Sequence, residues 1–205
     1  MKRYSQNNEQ DLILAHFGAA RGTFLDIGAN DGETLSNSRA LAELGWAGLC
    51  VEPSPTAYAA LERIYAGHEL IECHNVAICN GEGPAILHES GPHLGAKDHG
   101  LLSTVVPTEM GRWKNTSNVF TPTSVECITF YSLLQRSQYS TFEFITIDAE
   151  GMDYDILSQI DLRVVDCRML IVEYNVIDEH RYVQYCREYG MSLRHKNAEN
   201  LVFTR

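Results

Sequence analysis

The sequence contains no long apolar segment. Across its 205 residues, no run approaches the roughly 18 consecutive apolar residues that a membrane-spanning helix requires. Residues 1–8 are mostly polar and lack the apolar stretch of a secretory signal peptide. We therefore expect no membrane span and predict a cytoplasmic location.

Positive charge is also scarce. The chain has 16 lysine and arginine residues against 27 aspartate and glutamate residues, so its formal net charge is −11. No lysine- or arginine-rich block offsets this excess, and such a field repels polyphosphates and anionic membrane surfaces. Nucleic acid is therefore not an expected partner, whereas a neutral or cationic ligand is compatible with the charge.

Closely spaced cysteines are missing as well. Six cysteines are scattered along the chain and none forms a C-x-x-C pair, a spacing that favours neither a zinc site nor a disulfide framework. We predict reduced thiols, most of them in the core of a cytoplasmic protein. The six are Cys50, Cys73, Cys79, Cys127, Cys167 and Cys186.

The chain does contain an alternation of short apolar strands and helices, which predicts an α/β fold. Segments such as 23–27 and 169–173 are nearly continuous apolar runs, typical of strands buried on both faces of a parallel sheet. The last two strands are joined by too few residues for a parallel crossover, so they should form an antiparallel hairpin. Predicted strands cover 23–27, 48–52, 69–73, 75–78, 125–130, 142–148, 169–173, 191–196 and 200–204. Predicted helices cover 9–17, 33–44, 55–66, 131–137, 152–160 and 178–189.

These elements predict a doubly wound, mostly parallel sheet that ends in a C-terminal antiparallel hairpin. At roughly 150 residues per domain, the length predicts one domain over residues 1–205. Residues 79–124 hold ten glycines and prolines and show little periodicity. Because long irregular segments in compact domains usually serve function, we interpret 79–124 as an insertion that faces the substrate.

The first strand runs into a glycine loop, residues 26–32. Ligands of doubly wound sheets bind beyond the carboxyl ends of the strands, and glycine permits close approach of the backbone. The loop lacks G-x-G-x-x-G spacing, and Asp26 at its start would repel a pyrophosphate but suits an ammonium group. A plain strand-to-helix turn is the alternative interpretation.

Glu52 ends the second strand, 24 residues after Gly28. A carboxylate at this place can accept hydrogen bonds from both hydroxyls of a ribose. The alternative is a solvated charge at a strand end. Together, the loop and Glu52 indicate an adenosine-containing ligand without phosphates in the loop, which points to S-adenosylmethionine.

Several motifs resemble the FkbM family of class I S-adenosylmethionine-dependent methyltransferases. The most specific are the Asp-Ala-Glu-Gly-Met-Asp block at 148–153 and the Val-Glu-Tyr-Asn block at 172–175. The first of these blocks continues a resembling stretch that begins at residue 144, and the second continues one that begins at residue 171. The other resembling stretches are 4–9, 24–32, 46–55 and 75–78, so the likeness covers nearly the whole chain. The resemblance implies a Rossmann-like class I methyltransferase fold and O-methylation of a sugar, polyketide or related hydroxyl.

The resemblance also implies how the cofactor is held. The glycine loop would wrap the methionine portion, the end of the second strand would bind the ribose, the 75–77 segment would flank the adenine, and the strand end at 148 would lie beside the sulfonium. Asp26 would hold the amino group of the methionine portion through water. The implied cofactor-binding residues are Asp26, Gly28, Ala29, Asn30, Gly32, Glu52, Pro53, Ser54, Asn75, Val76, Ala77, Asp148 and Ala149.

An alcohol acceptor needs help to lose its proton, from a general base or from a metal ion. The candidate catalytic residues are Asp148, Glu150, Glu173 and His180, with Asp153 as a further carboxylate. Asp148 and Glu173 end two strands that we expect to be neighbours, so they are candidates to hold a divalent cation, joined by Asn175. Alternatively, both carboxylates only position cofactor and substrate, and Glu150 and Asp153 are charges favoured at a helix N-terminus.

Two other functions remain open at this point. One is an NAD(P)-dependent oxidoreductase on a similar sheet, although the chain contains no Tyr-x-x-x-Lys pair. The other is a nucleoside-binding module without catalysis, which the intact strand-end acids disfavour. Fold alone does not decide among these three functions. The expected partner is a small-molecule or glycan acceptor.

Overall fold

The structure, a computed structural model, describes residues 2–92, 98–115 and 118–205. The helices are α1 (Glu9–Phe17), α2 (Arg39–Glu43), α3 (Pro55–Tyr65), α4 (Phe130–Arg136), α5 (Asp153–Leu157) and α6 (Glu179–Glu188), with a 3₁₀ helix at Glu109–Trp113. The strands are β1 (Thr23–Ile27), β2 (Ala47–Val51), β3 (Ile71–His74), β4 (Ala77–Ile78), β5 (Gly83–Ser90), β6 (Phe120–Ile128), β7 (Phe144–Ile147), β8 (Met169–Glu173), β9 (Ser192–Lys196) and β10 (Asn200–Thr204).

The central sheet has seven strands in the order β3-β2-β1-β7-β8-β10-β9. Strands β3, β2, β1, β7 and β8 run parallel, whereas β10 pairs antiparallel with both β8 and β9. The prediction of a mainly parallel doubly wound sheet with a terminal hairpin is confirmed. The chain moves outward from β1 to β3 on one side and from β7 on the other, so the strand order reverses between β1 and β7.

The apolar strand runs explain why this sheet forms. All residues of β7, β8 and β10 are buried, as are four of the five residues of β1 and of β2. Alternate side chains of the strands pack into two hydrophobic cores on opposite faces of the sheet. Leu25 and Ile27 lie in one core, and Phe24 lies with Trp46 in the other. Burial on both faces leaves the carboxyl ends of the strands as the place where polar side chains meet solvent.

Part of the segment predicted to be irregular is a second sheet. Strand β6 pairs antiparallel with β5 along its length and parallel with the short β4. The strands predicted at 75–78 and 125–130 therefore lie in this three-stranded sheet and outside the central one. The role of 79–124 as a substrate-facing insertion stays a prediction, and its residues 93–97 and 116–117 lie outside the described part of the chain.

The helix predicted over 33–44 is wrong for its first half, since only Arg39–Glu43 is helical. The side chain of Asp31 accepts hydrogen bonds from the backbone N–H groups of Glu33 and Thr34, at 2.8 and 2.7 Å. Leu35 then adopts a left-handed conformation with φ of 57°. These local side-chain bonds compete with helical hydrogen bonding and replace the first turns by a loop.

The prediction of reduced thiols throughout is wrong for one pair, because Cys79 and Cys127 form a disulfide across β4 and β6. The Cys79 N–H donates to the carbonyl of Ile128 at 2.8 Å, so the strand pairing itself brings the two cysteines together. Their 48-residue separation gives no hint of this in the sequence. Disulfides favour oxidising compartments, so the cysteines no longer support a cytoplasmic location, which stays a prediction.

None of the helices in the described ranges combines the length and the apolar character that crossing a membrane requires.

Candidate active site

Two connected clefts open at the carboxyl ends of the parallel strands, where the strand order reverses. The first, cleft A, lies over the ends of β1, β2 and β7. The second, cleft B, lies over the ends of β1, β7 and β8. The residues common to both walls are Gly28, Asn30, Leu101, Asp148 and Glu150.

Gly28, directly after β1, lies tightly against the backbone of Asp148, directly after β7. It has a φ of 86°, and a Cβ atom there would lie 1.7 Å from the carbonyl oxygen of Asp148. The backbone N–H of Asp148 in turn donates to the carbonyl of Ile27 at 2.9 Å. Only glycine allows the two strand ends to close in this way, which builds the floor that both clefts share.

Glu52 lines cleft A with its carboxylate held by backbone amides. The N–H of Asn30 donates to one carboxylate oxygen and the N–H of Ser54 donates to the other, each at 2.8 Å. Burial raises the pKa of Glu52 to about 7, although these amides favour the charged form, and the charges of Asp26 and Glu89 add repulsion. The oxygens keep lone pairs for further donors, so a ligand in cleft A can hydrogen-bond to them.

Cleft A has an apolar part, which we call the apolar slot. It includes Pro53, Val76, Ala77, Met152 and Ile156. An apolar slot in the same cleft as a fixed carboxylate suits a planar base joined to a sugar.

Asp26 lies beneath cleft B. It is buried, and its carboxylate accepts a hydrogen bond from the hydroxyl of Ser38 at 2.5 Å. Burial raises the pKa of Asp26 to about 6, against the lowering effect of Ser38. An uncompensated acid at this depth favours a ligand that brings a positive group.

The structure places most of the predicted cofactor-binding residues in the two walls and three outside them. Gly32 packs against α3, where a Cβ atom would lie 2.7 Å from Leu61 Cδ1. Ser54 caps α3 through its hydroxyl, and the Asn75 amide donates to the carbonyls of Glu52 and Pro53 at 2.8 and 3.0 Å. Those in the walls are Asp26, Gly28, Ala29, Asn30, Glu52, Pro53, Val76, Ala77, Asp148 and Ala149.

Three of the four predicted catalytic residues converge in cleft B. One oxygen each of Asp148, Glu150 and Glu173 lies within 4.8 Å of the others, and we call these three residues the carboxylate cluster. Loss of hydration and neighbouring charges, foremost that of Asp153, raise the pKa of Asp148 to about 7. Burial, followed by the charge of Asp148, also raises the pKa of Glu150 and of Glu173 well above the ordinary value.

Asp153 stabilises the loop after β7, which carries Asp148 and Glu150. Its carboxylate accepts hydrogen bonds from the N–H groups of Ala149 and Gly151, at 2.8 and 3.1 Å. Burial raises its pKa to about 6 in spite of these bonds. His180, the fourth predicted catalytic residue, lies in the first turn of α6 with an exposed side chain and is absent from both cleft walls.

Sequence reasoning missed Arg112, which faces the carboxylate cluster. Its Nη1 lies 2.9 Å from an oxygen of Glu109 and 3.9 Å from one of Glu150. Arg112 belongs to the 3₁₀ helix Glu109–Trp113 and lines cleft B. In the segment before this helix, the Thr104 hydroxyl donates to the carbonyl of Glu150 at 2.7 Å. No periodicity marks this stretch in the sequence.

The N-terminal segment and the turn between β9 and β10 form another side of cleft B. Gln6 lines it from the first and Glu199 from the second. Glu9, fully buried, ties this segment to the hairpin turn. Its carboxylate accepts hydrogen bonds from the N–H of Asn7 at 2.9 Å and from the amide of Asn197 at 2.7 Å. Glu9 thus joins the N-terminal segment to the turn between β9 and β10, two segments that are distant in sequence and that both line cleft B.

Solved structures of similar fold are methyltransferases. The ribosomal protein L11 methylase of Lactobacillus delbrueckii subsp. bulgaricus matches with a TM-score of 0.54 at 14% identity, over 100% of this chain and 80% of that one. The precorrin-6y C5,15-methyltransferase of Geobacter metallireducens GS-15 matches with a TM-score of 0.50 at 10% identity, over 100% of this chain and 92% of that one. At these identities the likeness shows a shared fold: the Rossmann-like fold of class I methyltransferases.

The family follows from sequence. The model described as the methyltransferase FkbM domain matches residues 26–193, most of the chain, and the protein belongs to that family. A comparison with curated protein sequences finds no match.

Proposed function

We propose that the protein is an S-adenosylmethionine-dependent O-methyltransferase acting on a hydroxyl of a sugar, polyketide or related natural product. The observation that carries this proposal is the pair of connected clefts at the reversal of strand order. Cleft A offers an amide-fixed carboxylate and an apolar slot, and cleft B continues it with the carboxylate cluster. Membership of the FkbM methyltransferase family supports the reaction type.

In this proposal, the adenosine of the cofactor fills cleft A. The ribose hydroxyls donate to Glu52, and the adenine lies in the slot beside Val76 and Ala77. The methionine portion crosses the shared floor into cleft B, where Asp26 lies close to the amino group. Asp148, common to both walls, then faces the sulfonium, and an acid beside a sulfonium compensates its charge.

The acceptor occupies the remainder of cleft B. Methyl transfer is an in-line displacement, so the main task of the protein is to align the acceptor oxygen with the methyl carbon. The oxygen forms a bond to that carbon, and the C–S bond breaks with its electron pair remaining on sulfur. In this proposal the carboxylate cluster acts by accepting the hydroxyl proton or by holding a cation that activates the hydroxyl.

Calorimetry with S-adenosylmethionine, S-adenosylhomocysteine and NADH tests the proposal. We expect both sulfur nucleosides to bind with one site per chain and NADH not to bind. Binding of NADH alone would favour the NAD(P)-dependent oxidoreductase and reject the methyltransferase.

A nucleoside-binding module without catalysis needs a second assay. Incubation with S-adenosylmethionine and a panel of glycans and macrolide-like alcohols, read by mass spectrometry, should show a gain of one methyl group on an acceptor. Tight cofactor binding with no methylated product across such a panel would favour the binding module.

A further inference from the structure

Carboxylates from two neighbouring strand ends meet in cleft B at a position that the central sheet fixes. Asp148 follows β7, Glu150 lies two residues further along the same loop, and Glu173 ends β8. In the parallel register of these strands Ile147 stands opposite Val172, so their carboxyl ends lie side by side. Two of the three carboxylates therefore lie at the ends of fully buried strands, and the loop after β7 carries the third. Asp153 holds that loop through hydrogen bonds from the N–H groups of Ala149 and Gly151.

The buried oxygens of this cluster lack donors. Within the described ranges, Oε2 of Glu150 and Oε2 of Glu173 accept no hydrogen bond, although these residues are only 8% and 6% exposed. Oδ1 of Asn30 reaches the same cleft from the end of β1, and it is likewise buried without a donor. All three atoms are acceptors, and buried acceptors without a hydrogen-bond donor cost free energy. Oε2 of Glu150 also lies 3.9 Å from Nη1 of Arg112, outside hydrogen-bond distance. A ligand that satisfies these atoms must bring positive charge or hydrogen-bond donors.

The arginine beside the cluster compensates only part of its charge. Arg112 is closer to Glu109, at 2.9 Å, than to Glu150, at 3.9 Å, so its guanidinium is shared with a fourth carboxylate. When all three carboxylates are ionised, one shared positive charge leaves at least two negative charges uncompensated. Carboxylate oxygens are the ligands preferred by Mg²⁺, Mn²⁺ and Ca²⁺, and a divalent ion matches the missing charge. Asn175, in the wall of the same cleft, adds a neutral amide group.

We propose that Asp148, Glu150 and Glu173 together bind one divalent cation of the Mg²⁺ or Mn²⁺ class in cleft B. The inference deepens the proposed function, on which its catalytic part rests. The cation takes the acceptor hydroxyl oxygen as a further ligand and thereby makes its proton more acidic. That proton passes to water, the oxygen bonds to the methyl carbon, and the sulfonium leaves as a neutral thioether.

Titration of the intact protein with Mn²⁺ tests this site, with the free ion followed by electron paramagnetic resonance. We expect one Mn²⁺ per chain, displaced by Mg²⁺, both with and without S-adenosylhomocysteine. Glu173→Gln and Glu150→Gln should each weaken Mn²⁺ binding by about tenfold or more, because even the loss of a second-shell partner costs about 10–100-fold. Glu199→Gln is the matched control, since Glu199 lies in the wall of cleft B but outside the cluster. It should keep the wild-type stoichiometry and nearly the wild-type affinity.

Absence of bound Mn²⁺ at millimolar concentration in the wild-type protein would overturn the cation site, as would unchanged affinity in Glu173→Gln. Calorimetry with S-adenosylhomocysteine on the same samples separates this failure from failure of the proposed function. A protein that binds the nucleoside but no Mn²⁺ refutes only the cation site, and the reverse result refutes the cofactor assignment. Circular dichroism verifies folding; should the buried glutamate variants not fold, Asp148→Asn, at a side chain open to the cleft, provides the same comparison.

Discussion

The backbone N–H of Asn30 donates a hydrogen bond to the carboxylate of Glu52 at 2.8 Å. This bond joins the glycine loop after β1 to the end of β2, two segments that are 22 residues apart in the chain. It fixes the orientation of the carboxylate before any ligand arrives. A preoriented acceptor loses less freedom on binding, so Glu52 should contribute strongly to affinity for a ribose.

Glu52→Gln should weaken binding of S-adenosylhomocysteine by about 10–100-fold, since hydrogen bonds to charged groups contribute about 1.5–3 kcal/mol. The shape of the side chain is retained, while the charge and one acceptor oxygen are lost. Glu62→Gln, at an exposed position of α3, is the control and should bind like the wild type. Calorimetry measures both, and equal affinities in the two variants would remove Glu52 from the ribose site.

Nucleoside affinity should depend on pH around neutrality. The pKa of Glu52 is raised to about 7 by burial, with Asp26 and Glu89 as the facing charges and the amides of Asn30 and Ser54 acting in the opposite direction. Ribose hydroxyls donate to the ionised form, so affinity for S-adenosylhomocysteine should be full above pH 7 and fall as the pH drops through that value. The step around pH 7 should disappear in Glu52→Gln; persistence of the same step there would assign it to another group.

Stability of the cofactor-free protein should show the opposite trend. A folded-state pKa of about 7 against an ordinary 4.5 means that the folded protein binds the Glu52 proton more tightly than the unfolded chain does. The free energy of unfolding should therefore decrease as the pH rises from about 4.5 towards 7 on account of this group. Urea titrations of wild type and Glu52→Gln across this range measure the difference, and parallel pH curves would contradict it.

Gly28→Ala should separate β1 from β7. Its Cβ atom would lie 1.7 Å from the Asp148 carbonyl oxygen, whereas at Gly67, where φ is 85° against 86° at Gly28, nothing lies within 4 Å. Both variants bear the cost of a left-handed alanine, about 1–2 kcal/mol, but only Gly28→Ala adds overpacking of about 1–3 kcal/mol or more. Denaturant unfolding should place Gly28→Ala below Gly67→Ala, and only Gly28→Ala should lose nucleoside binding. Equal losses in both would mean that the close contact is not decisive.

The Cys79–Cys127 disulfide should stabilise the protein through its long loop. The residues it joins are 48 apart in sequence, and closing such a loop contributes about 2–4 kcal/mol. Non-reducing mass spectrometry should find this pair linked, and reduction should lower the free energy of unfolding by that amount. The doubly substituted variant Cys79→Ser, Cys127→Ser should be insensitive to reductant. Unchanged wild-type stability after reduction would contradict the expectation.

Local patterns in the sequence predict the central sheet well because its strands are short, nearly continuous apolar segments. The terminal hairpin and the strand ends at Glu52, Asp148 and Glu173 follow from the same patterns, since parallel strands align their carboxyl ends. The helix at 33–44 is lost to the side chain of Asp31, a competitor that hydrophobic periodicity does not register.

Contacts between distant segments are what the sequence did not reveal. Arg112 reaches the carboxylate cluster from a stretch without periodicity, and the Cys79–Cys127 pair depends on the pairing of β4 with β6. Glu150 was one candidate among several acids after β7; its closeness to Glu173 requires the observed strand register and loop. His180 follows the same strand as Glu173 but lies on an exposed helical turn, a difference that chain order alone cannot distinguish.

A crystal structure of the complex with S-adenosylhomocysteine tests the central claim most directly. We predict the ribose hydroxyls on the carboxylate of Glu52, the adenine beside Val76 and Ala77, and the sulfur facing Asp148. Density for the nucleoside away from these strand ends, or clefts A and B left empty at saturating nucleoside, would contradict the account.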